Sequence, residues 1–504
     1  MPVEAMNTSR HVEVERKFDV VESMLSPSFA GIPEIVRLEW RSTQELDAVY
    51  FDTPARDLAS KRITLRRRTG GQDAGWHLKL PAGPDARTEV RAPLDAVNDS
   101  RDGSQEDVPP ELLDVVLAIV RDRPLRPVAR IATARQVQLL CGADGVALAE
   151  FCDDRVTGRL AADPDAPAAE QRWREWELEL VGSDANAELM ERLSNRLLGA
   201  GATPARHASK VARVLGATTE PHDAPVRAVD PVHRAVAEQV DELLVWDRAV
   251  RADTDDAVHQ MRVTTRKIRS LLQASPDSFG LSDDASILDE LRELASVLGA
   301  ARDAEVLAQR YRRGLDRLPP ELVRGPIRQR LVDGAEQRYR TGQRHSLAAL
   351  RSERYFRLLD ALDALVAEPA PADQEPVLVT VDTANKKVRK AAKAARQAAD
   401  EDRDGAIHRI RKRAKRLRYT ATAIGATEVS ERAKAIQSLL GDHQDSVVSR
   451  MHLTEQADVA RAAGEDTFTY GLLYQQEADL AQSCRQQLEP ELRKLNKSVR
   501  KLRR

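Results

Sequence analysis

The sequence predicts an α+β chain in two parts, a β-rich domain followed by an all-α domain, and three observations predict it. Before residue 220 the segments are short, alternate charged with apolar residues and are punctuated by Gly and Pro, the pattern of half-buried strands. Beyond residue 231 come long stretches rich in Ala, Leu, Arg and Glu with helical spacing and few breakers. Between them the Pro-rich stretch Glu220–Pro231 reads as a linker. The expected boundaries are 8–218 for the first domain, 219–230 for the linker and 231–502 for the second domain.

Charge divides at the same place. The 504 residues include 78 Lys+Arg and 80 Asp+Glu, a net charge of −2. From Pro231 onward 48 basic residues face 42 acidic ones, a balance of +6, which leaves −8 for the first part. The near-neutral total is a cancellation and does not argue against a polyanionic partner, because distribution sets the local field. No apolar run approaches the roughly 18 residues of a spanning helix, and the N-terminus lacks a signal-peptide core. No membrane partner is expected, and the expected location is cytoplasmic. Cys141, Cys152 and Cys484 show neither a CxxC nor a Cys/His ligand spacing, which excludes a disulfide scaffold and a thiolate zinc site.

The strands of the first domain carry charge on one face. In His11–Phe18, Glu13, Glu15 and Lys17 share one side while Val12, Val14 and Phe18 share the other. Arg62, Thr64, Arg66 and Arg68 alternate with Ile63 and Leu65, and His77 and Lys79 with Trp76, Leu78 and Leu80. Arg87, Glu89 and Arg91 oppose Thr88 and Val90; Glu175, Glu177 and Glu179 oppose Trp176, Leu178 and Leu180. Three carboxylates in a row on one strand face repel unless something neutralises them. Carboxylate oxygens suit a hard divalent cation, and guanidinium and ammonium groups suit phosphate oxygens. A barrel with this face turned inward would hold both.

Glu13-x-Glu15-x-Lys17 resembles the ExExK signature of the CYTH family, the triphosphate tunnel metalloenzymes. Later segments resemble the family's other elements in the same order. Tyr50–Thr53 resembles its YFDT element, Leu65–Arg68 its arginine strand and Trp76–Pro81 its lysine strand. Glu150–Val156 resembles its late acidic strand, Trp173–Leu180 its metal-binding strand and Ser209-Lys210 its closing lysine. The resemblance covers roughly residues 8–215 and implies an eight-stranded antiparallel β tunnel with flanking helices, expected at 109–120 and 184–198. It implies Mg²⁺ or Mn²⁺ as cofactor, with Glu13, Glu15, Glu175 and Glu177 as metal ligands and Glu179 and Asp153 as further candidates. Lys17, Arg66, Arg68, Lys79, Arg135, Arg155 and Lys210 would line the phosphate path, and Glu13, Glu15 and Lys17 form the catalytic set. There is no Ser-His-Asp set and no P-loop; the implied chemistry is in-line attack of water with charge neutralised around the phosphoryl group.

The second domain repeats itself. His259, Arg262, Arg266, Lys267 and Arg269 correspond to His408, Arg411, Lys415, Arg416 and Arg418 at a constant offset of 149, with Lys412 adding to the second copy. Leu298-Gly-Ala-Ala-Arg-Asp303 matches Leu440-Gly-Asp-His-Gln-Asp445 at an offset of 142. Two motifs recurring in one order indicate a duplication, with halves at about 231–370 and 378–502 and about four helices each. At about 100° per residue, His259, Arg262, Arg266 and Arg269 fall within an arc of about 80°, as do His408, Arg411, Lys415 and Arg418. Met261, Ile268 and Leu272, and Ile410 and Leu417, lie opposite. A facing pair of such helices would make a positive channel for an extended anion.

This arrangement resembles the CHAD domain, over roughly residues 230–500, and the resemblance implies duplicated four-helix bundles that bind inorganic polyphosphate. It adds association with polyphosphate granules as a candidate location. The two histidines would add charge below about pH 6.5, so binding should tighten in acid. The Lys386–Lys393 cluster and the tail Arg500–Arg504 are further basic surfaces. Nucleic acid is the competing polymer; aromatic residues are only 4% of the chain, and the basic helices offer Tyr419 alone for stacking, which speaks against it. The sequence thus reads as a metal-dependent triphosphatase acting on inorganic triphosphate or related short chains, joined to a polyphosphate-binding domain. Two alternatives stand beside it: a non-catalytic polyphosphate-binding protein, and a tunnel enzyme for an organic triphosphate such as thiamine triphosphate or ATP.

Overall fold

The structure, a computed structural model, describes residues 9–83, 85–94, 108–161, 170–182, 186–216, 231–274, 279–281, 286–367 and 381–502. It divides into two compact units, residues 1–226 and 227–504. The 219–230 linker and residues 503–504 of the basic tail lie outside the described residues.

In the first unit the described residues form ten strands: β1 (Ser9–Val20), β2 (Arg37–Trp40), β3 (Gln44–Asp52), β4 (Thr64–Thr69), β5 (Gly75–Pro81), β6 (Ala86–Ala92), β7 (Arg126–Cys141), β8 (Ala147–Leu160), β9 (Glu170–Leu180) and β10 (Thr203–Pro204). Eight of them pair in the order β1-β6-β5-β4-β3-β7-β8-β9, and β9 pairs back with β1, so the sheet closes into an antiparallel barrel. Long β1 makes the closure: Ser9–Val14 pairs with β6, and Val14–Val20 with β9. Closure leaves no sheet edge exposed along the barrel wall.

Alternation decides what each face does. The outward residues Phe18, Phe151, Trp176 and Leu178 are buried under α3 (Ala187–Gly199), which contributes Leu189, Met190, Leu193 and Leu197. Opposite, α1 (Asp57–Ser60) and α2 (Pro110–Val120) cover β3 to β6, where Phe51, Trp76, Leu78, Leu112 and Val116 are buried. Inside the barrel one end is apolar. Ala48, Tyr50, Ile131, Val156 and Trp173 pack there against Val211 and Val214 of α4 (Lys210–Val214). Gly158 permits that approach, since a Cβ there would lie 2.5 Å from Val214. Elsewhere the interior is polar, and the Ser209 side chain caps α4 so that Lys210 enters the barrel.

In the second unit the described residues form nine α-helices: α5 (Pro231–Arg251), α6 (Ala257–Ala274), α7 (Ser286–Asp316), α8 (Gly334–Leu350), α9 (Glu353–Ala367), α10 (Val381–Gln397), α11 (Asp400–Ala423), α12 (Thr427–Ala462) and α13 (Phe468–Leu502). Successive helices pack on one another, α5–α8 in the first half and α10–α13 in the second. The halves are unequal, because α9 has no counterpart among the described residues of the second. Its apolar face (Tyr355, Phe356, Leu359, Leu362) packs on α5 and α7, and Tyr355 donates to buried Asp247 at 3.0 Å. A core of Val388, Ile410, Leu417, Ile436 and Leu495 holds the second half together. Tyr311, Leu315, Leu453 and Leu473 form a seam across α7, α12 and α13. Among the described residues no helix is long and apolar enough to cross a membrane.

Candidate active site and anion channel

The barrel interior encloses about 1120 Å³ of empty space, counting its open mouth, and is lined by charged side chains from seven strands and from Lys210. Period-two alternation sends Glu13, Glu15 and Lys17 inward from β1, Arg66 and Arg68 from β4, and Lys79 from β5. Glu89 and Arg91 enter from β6, Arg135 from β7, Glu150 from β8, and Glu177 and Glu179 from β9.

Near α4 the charges cancel in a tight network. Lys210 Nζ lies 2.8 Å from Asp154 and 2.7 Å from both Glu175 and Glu177. Arg135 donates to both oxygens of Asp154, at 2.8 and 2.6 Å, and to Glu177. Lys17 Nζ is 2.5 Å from Glu177 and 2.9 Å from Glu15, and Trp173 Nε1 donates to Glu175 at 2.6 Å. Burial would strip charge from Lys210 and Lys17, but the surrounding carboxylates outweigh it and raise both above the usual lysine range. Glu177 is held far below its ordinary value, because Lys17, Lys210 and Arg135 overcome its burial.

A second knot sits toward the N-terminal end of β1, around His11 and Glu13. His77 Nδ1 is 3.0 Å from Glu89, which also meets Arg91 and, at 3.7 Å, Lys79. Glu13 meets Lys79, His11 at 3.1 Å and Arg91 at 3.5 Å. Glu89 is held below the carboxylate range by His77 and Lys79 despite burial.

Beside these knots stands a row of carboxylates that is only partly neutralised. The β1–β9 and β8–β9 registers place Glu179 directly beside Glu15 on one side and Glu150 on the other. Neither Glu150 nor Glu179 has a cation within ion-pair distance among the described residues. Burial, reinforced by Glu13, Glu15 and Glu150, pushes Glu179 up to about 7. Burial would raise Glu15 too, but Lys17, Lys79 and Arg87 hold it at about 2. On the β4 wall Arg66 meets Tyr50 Oη at 3.3 Å and no carboxylate, and the Nε atoms of Arg66 and Arg68 are buried without a partner. Burial and neighbouring Arg66 push Arg68 down to about 10, although Asp73 pairs with it. An acidic row facing arginines with open donors suits a divalent cation bridged to phosphoryl oxygens.

In the second unit α6 and α11 present their cationic arcs to a common space. Burial, then Arg262, Arg269 and, from α11, Arg411 depress the Arg266 guanidinium. Burial, then Arg266, Arg411, Arg269 and Arg418 push the Lys415 amine down to about 7. The duplicated Leu-Gly…Asp motifs explain how the arginines fit. Cβ atoms on Gly299 and Gly441 would come within 3.2 Å of Arg262 and 3.4 Å of Arg411, so each glycine leaves room for the guanidinium above it. Asp303 then lies 3.3 Å from Arg262. The Nε atoms of Arg262, Arg269 and Arg411 and the Nδ1 atoms of His259 and His408 are buried without a partner. Burial and adjacent cations hold both histidines below their ordinary range. Their charging therefore belongs at lower pH than the expected 6.5.

The CYTH family profile matches residues 11–207, and the CHAD family profile matches 234–454. The chain is 66% identical over its full length, and over the full length of the relative, to an uncharacterised protein of Mycobacterium tuberculosis. It belongs to the CYTH–CHAD proteins. Among solved structures, the CHAD domain of the plant Ricinus communis is 25% identical, covering 52% of this chain and 90% of that one at a TM-score of 0.42. A putative adenylyl cyclase from Hippeastrum, whose dominant activity is that of a triphosphatase, is 19% identical, covering 42% of this chain and 98% of that one at a TM-score of 0.24.

Within the CYTH domain the structure brings together Glu13, Glu15, Lys17, Arg66, Arg68, Lys79, Arg135, Glu175, Glu177, Glu179 and Lys210. Two residues expected with them face the other way. Arg155 points out of the barrel, where its half-exposed side chain pairs with Glu22 at 3.0 Å. Asp153 also faces outward, bound by Arg174 at 2.6 Å and Ser26 at 2.8 Å. On β8 the inward parity is that of Glu150, Cys152 and Asp154, so Asp154 replaces Asp153 and no phosphate-path residue replaces Arg155. Sequence reasoning misses Glu150, Asp154, Glu89, Arg91 and Tyr50 as site residues. Counting by two from Glu150 reaches Asp154, and the strand Arg87-x-Glu89-x-Arg91 carries the signal of an inward face. In the CHAD domain Lys267 and Arg416 sit about 140° around their helices from Arg262 and Arg411. Arg416 still acts on Arg269 across the channel, and Lys412 on His408.

Proposed function

We propose that the CYTH domain is a divalent-metal-dependent triphosphatase for inorganic triphosphate and related short chains, and that the CHAD domain binds polyphosphate. The observation that carries the first reading is the carboxylate row Glu15–Glu179–Glu150 opposite Arg66 and Arg68, in which Glu150 and Glu179 have no ion-pair partner among the described residues. A Mg²⁺ or Mn²⁺ ion fits this donor set: the oxygens are hard, they lie on adjacent strands, and the burial and like charge that push Glu179 up to about 7 would be relieved by a cation. Glu13, Glu15, Glu150 and Glu179 would hold it. The groups Asp154/Glu175/Glu177 and His11/Glu13/Glu89 also bring ligand atoms within 4.8 Å of one another, but lysines, arginines or His77 already neutralise most of them. When bound, the ion supplies Lewis-acid neutralisation of charge on the phosphoryl oxygens.

This chain's own residues account for the rest. Arg66 and Arg68 direct open N–H donors at an anion in the tunnel, and Tyr50 fixes Arg66. Lys17, Arg135 and Lys210 are locked by Glu177 and Asp154, so their positive charge is positioned before substrate arrives. The apolar plug of Trp173, Val211 and Val214 limits water at the α4 end. Among the described residues Tyr50 is the one aromatic residue in the cavity lining, which favours an inorganic chain over a nucleotide, whose base needs a stacking partner. The test is phosphate release from tripolyphosphate with Mg²⁺ or Mn²⁺. The wild type should release phosphate and the Glu13→Ala/Glu15→Ala protein at least ~100-fold less, the scale of lost transition-state neutralisation; equal rates would refute the assignment.

For the CHAD domain, support comes from two cationic arcs whose buried donors lack partners. Reversal of Arg262, Arg266, Arg411 and Lys415 to Glu should abolish retention on immobilised polyphosphate, and unchanged retention would place the binding surface elsewhere.

A further inference from the structure

The eight residues on the facing arcs of α6 and α11 are not equivalent chemically. At four matched positions seven of them are Arg or His, and Arg266 occupies in the first copy the place that Lys415 takes in the second. Thus Arg266, Arg269, Arg411 and Arg418 surround a single primary amine.

The surroundings of that amine are unusual on every side. From α6, Arg266 and Arg269 act on it; from its own helix, Arg411 and Arg418 do so. The Tyr419 ring lies beneath, with its centroid 5.6 Å from Nζ. From α12, Gln437 accepts from Arg418 at 3.4 Å, and Asp445 acts on Arg411. On the remaining side α10 packs against α11 through Val388 and Ala392. Lys415 has no ion pair or hydrogen bond among the described residues, and it is partly open to solvent. An ammonium packed among four guanidinium groups with no carboxylate partner is disfavoured, so burial and these cations push the amine down to about 7. Desolvation and adjacent cations are the two devices that activate a lysine nucleophile.

We propose that Lys415 is a site of direct acylation by acyl phosphates, small molecules that carry their own phosphate into the arginine cluster. The proposal rests on the anion-binding reading of the channel. The Nζ lone pair attacks the acyl carbon, a C–N bond forms, and the bond between the acyl carbon and the phosphate oxygen breaks. Inorganic phosphate departs with that electron pair, held by the arginines, and the nitrogen releases its proton to water. No electrons are transferred to or from any further reagent. The product amide cannot take up the proton that the amine gains beside a bound polyanion, so the modification weakens the channel's hold on that polyanion.

The test treats the full-length protein with acetyl phosphate at pH 7.5 and follows each lysine by mass spectrometry. Exposed Lys386, Lys390 and Lys393 on α10 serve as internal references. Lys415 should label about tenfold faster than these references, because burial and adjacent guanidinium groups activate it while lower basicity costs part of the gain. Arg266→Gln should slow labelling of Lys415 several-fold without changing the references, because it relieves the pressure on the ammonium. Labelling of Lys415 at or below the reference rate, or no response to Arg266→Gln, overturns the proposal. Added tripolyphosphate separates the two readings. Protection of Lys415 supports both; selective labelling that tripolyphosphate does not slow supports the acylation site and refutes the anion channel.

Discussion

Replacing Glu179 by Gln isolates the tension on which the tunnel reading rests. In the folded, metal-free protein this carboxyl is pushed up to about 7 from an ordinary 4.5, first by burial and then by Glu13, Glu15 and Glu150. A folded value above the unfolded one means that the native state holds the proton more tightly. Below pH 4.5 both states are protonated and nothing is lost. Between 4.5 and 7 the unfolded chain releases its proton while the native state keeps it, so stability falls as pH rises and levels off above 7. At about 1.36 kcal/mol per pH unit the full loss is about 3 kcal/mol. Glutamine imitates the protonated acid, so metal-free Glu179→Gln should match the wild type near pH 4.5 and exceed it by about 3 kcal/mol at pH 8. Urea unfolding in EDTA reads this directly, since four of the five tryptophans (Trp40, Trp76, Trp173 and Trp176) lie in the CYTH domain. Addition of Mn²⁺ at pH 8 should reverse the order, stabilising the wild type and leaving the variant nearly unmoved. Identical pH dependence in the two proteins would refute the carboxylate row as the origin of the strain.

The same geometry fixes three further outcomes. Asp153→Asn and Asp154→Asn should separate face from face. The first destabilises by loosening Arg174 yet leaves phosphate release per folded molecule unchanged within about twofold. The second lowers release at least ~tenfold and costs about 2–3 kcal/mol by weakening the hold on Arg135 and Lys210. Gly299→Val should displace Arg262, whose guanidinium lies 3.2 Å from the added Cβ position; roughly tenfold weaker polyphosphate binding with unchanged helical circular dichroism is expected. Polyphosphate affinity should fall steeply as salt is raised from about 50 to about 200 mM, and less steeply when Arg266 and Arg411 are both Gln, as measured by titration at fixed pH.

The fold was legible because closed barrels and amphipathic helices write strict periods into a sequence. Glu13, Glu15 and Lys17, or Arg262, Arg266 and Arg269, can be assigned to one face by counting. On β8 counting failed for a physical reason. Phe151 is buried outward under α3, and Val156 is buried at the apolar plug, so hydrophobic residues do not reveal which face is the charged interior. Asp153 and Asp154 are therefore indistinguishable until pairing fixes the register. The juxtaposition of Glu15, Glu179 and Glu150 is equally hidden, because it depends on a strand closure between β1 and β9, the first and last strands of the barrel wall. In the helical domain α9 goes unseen because it belongs to one copy of the duplication alone, and a repeat predicts only what both copies share. The depressed amine of Lys415 requires the facing of α6 and α11, which periodicity within either helix does not contain.

The most direct measurement is the ratio of kcat/KM for tripolyphosphate to that for ATP, taken on the full-length protein with Mg²⁺ and again with Mn²⁺. A cavity lined by arginines and carboxylates, with Tyr50 the one aromatic residue among the described lining residues, predicts metal-dependent release that favours tripolyphosphate by at least about tenfold. Equal or greater efficiency on ATP, or no metal-dependent release from either, would contradict the inorganic triphosphatase account.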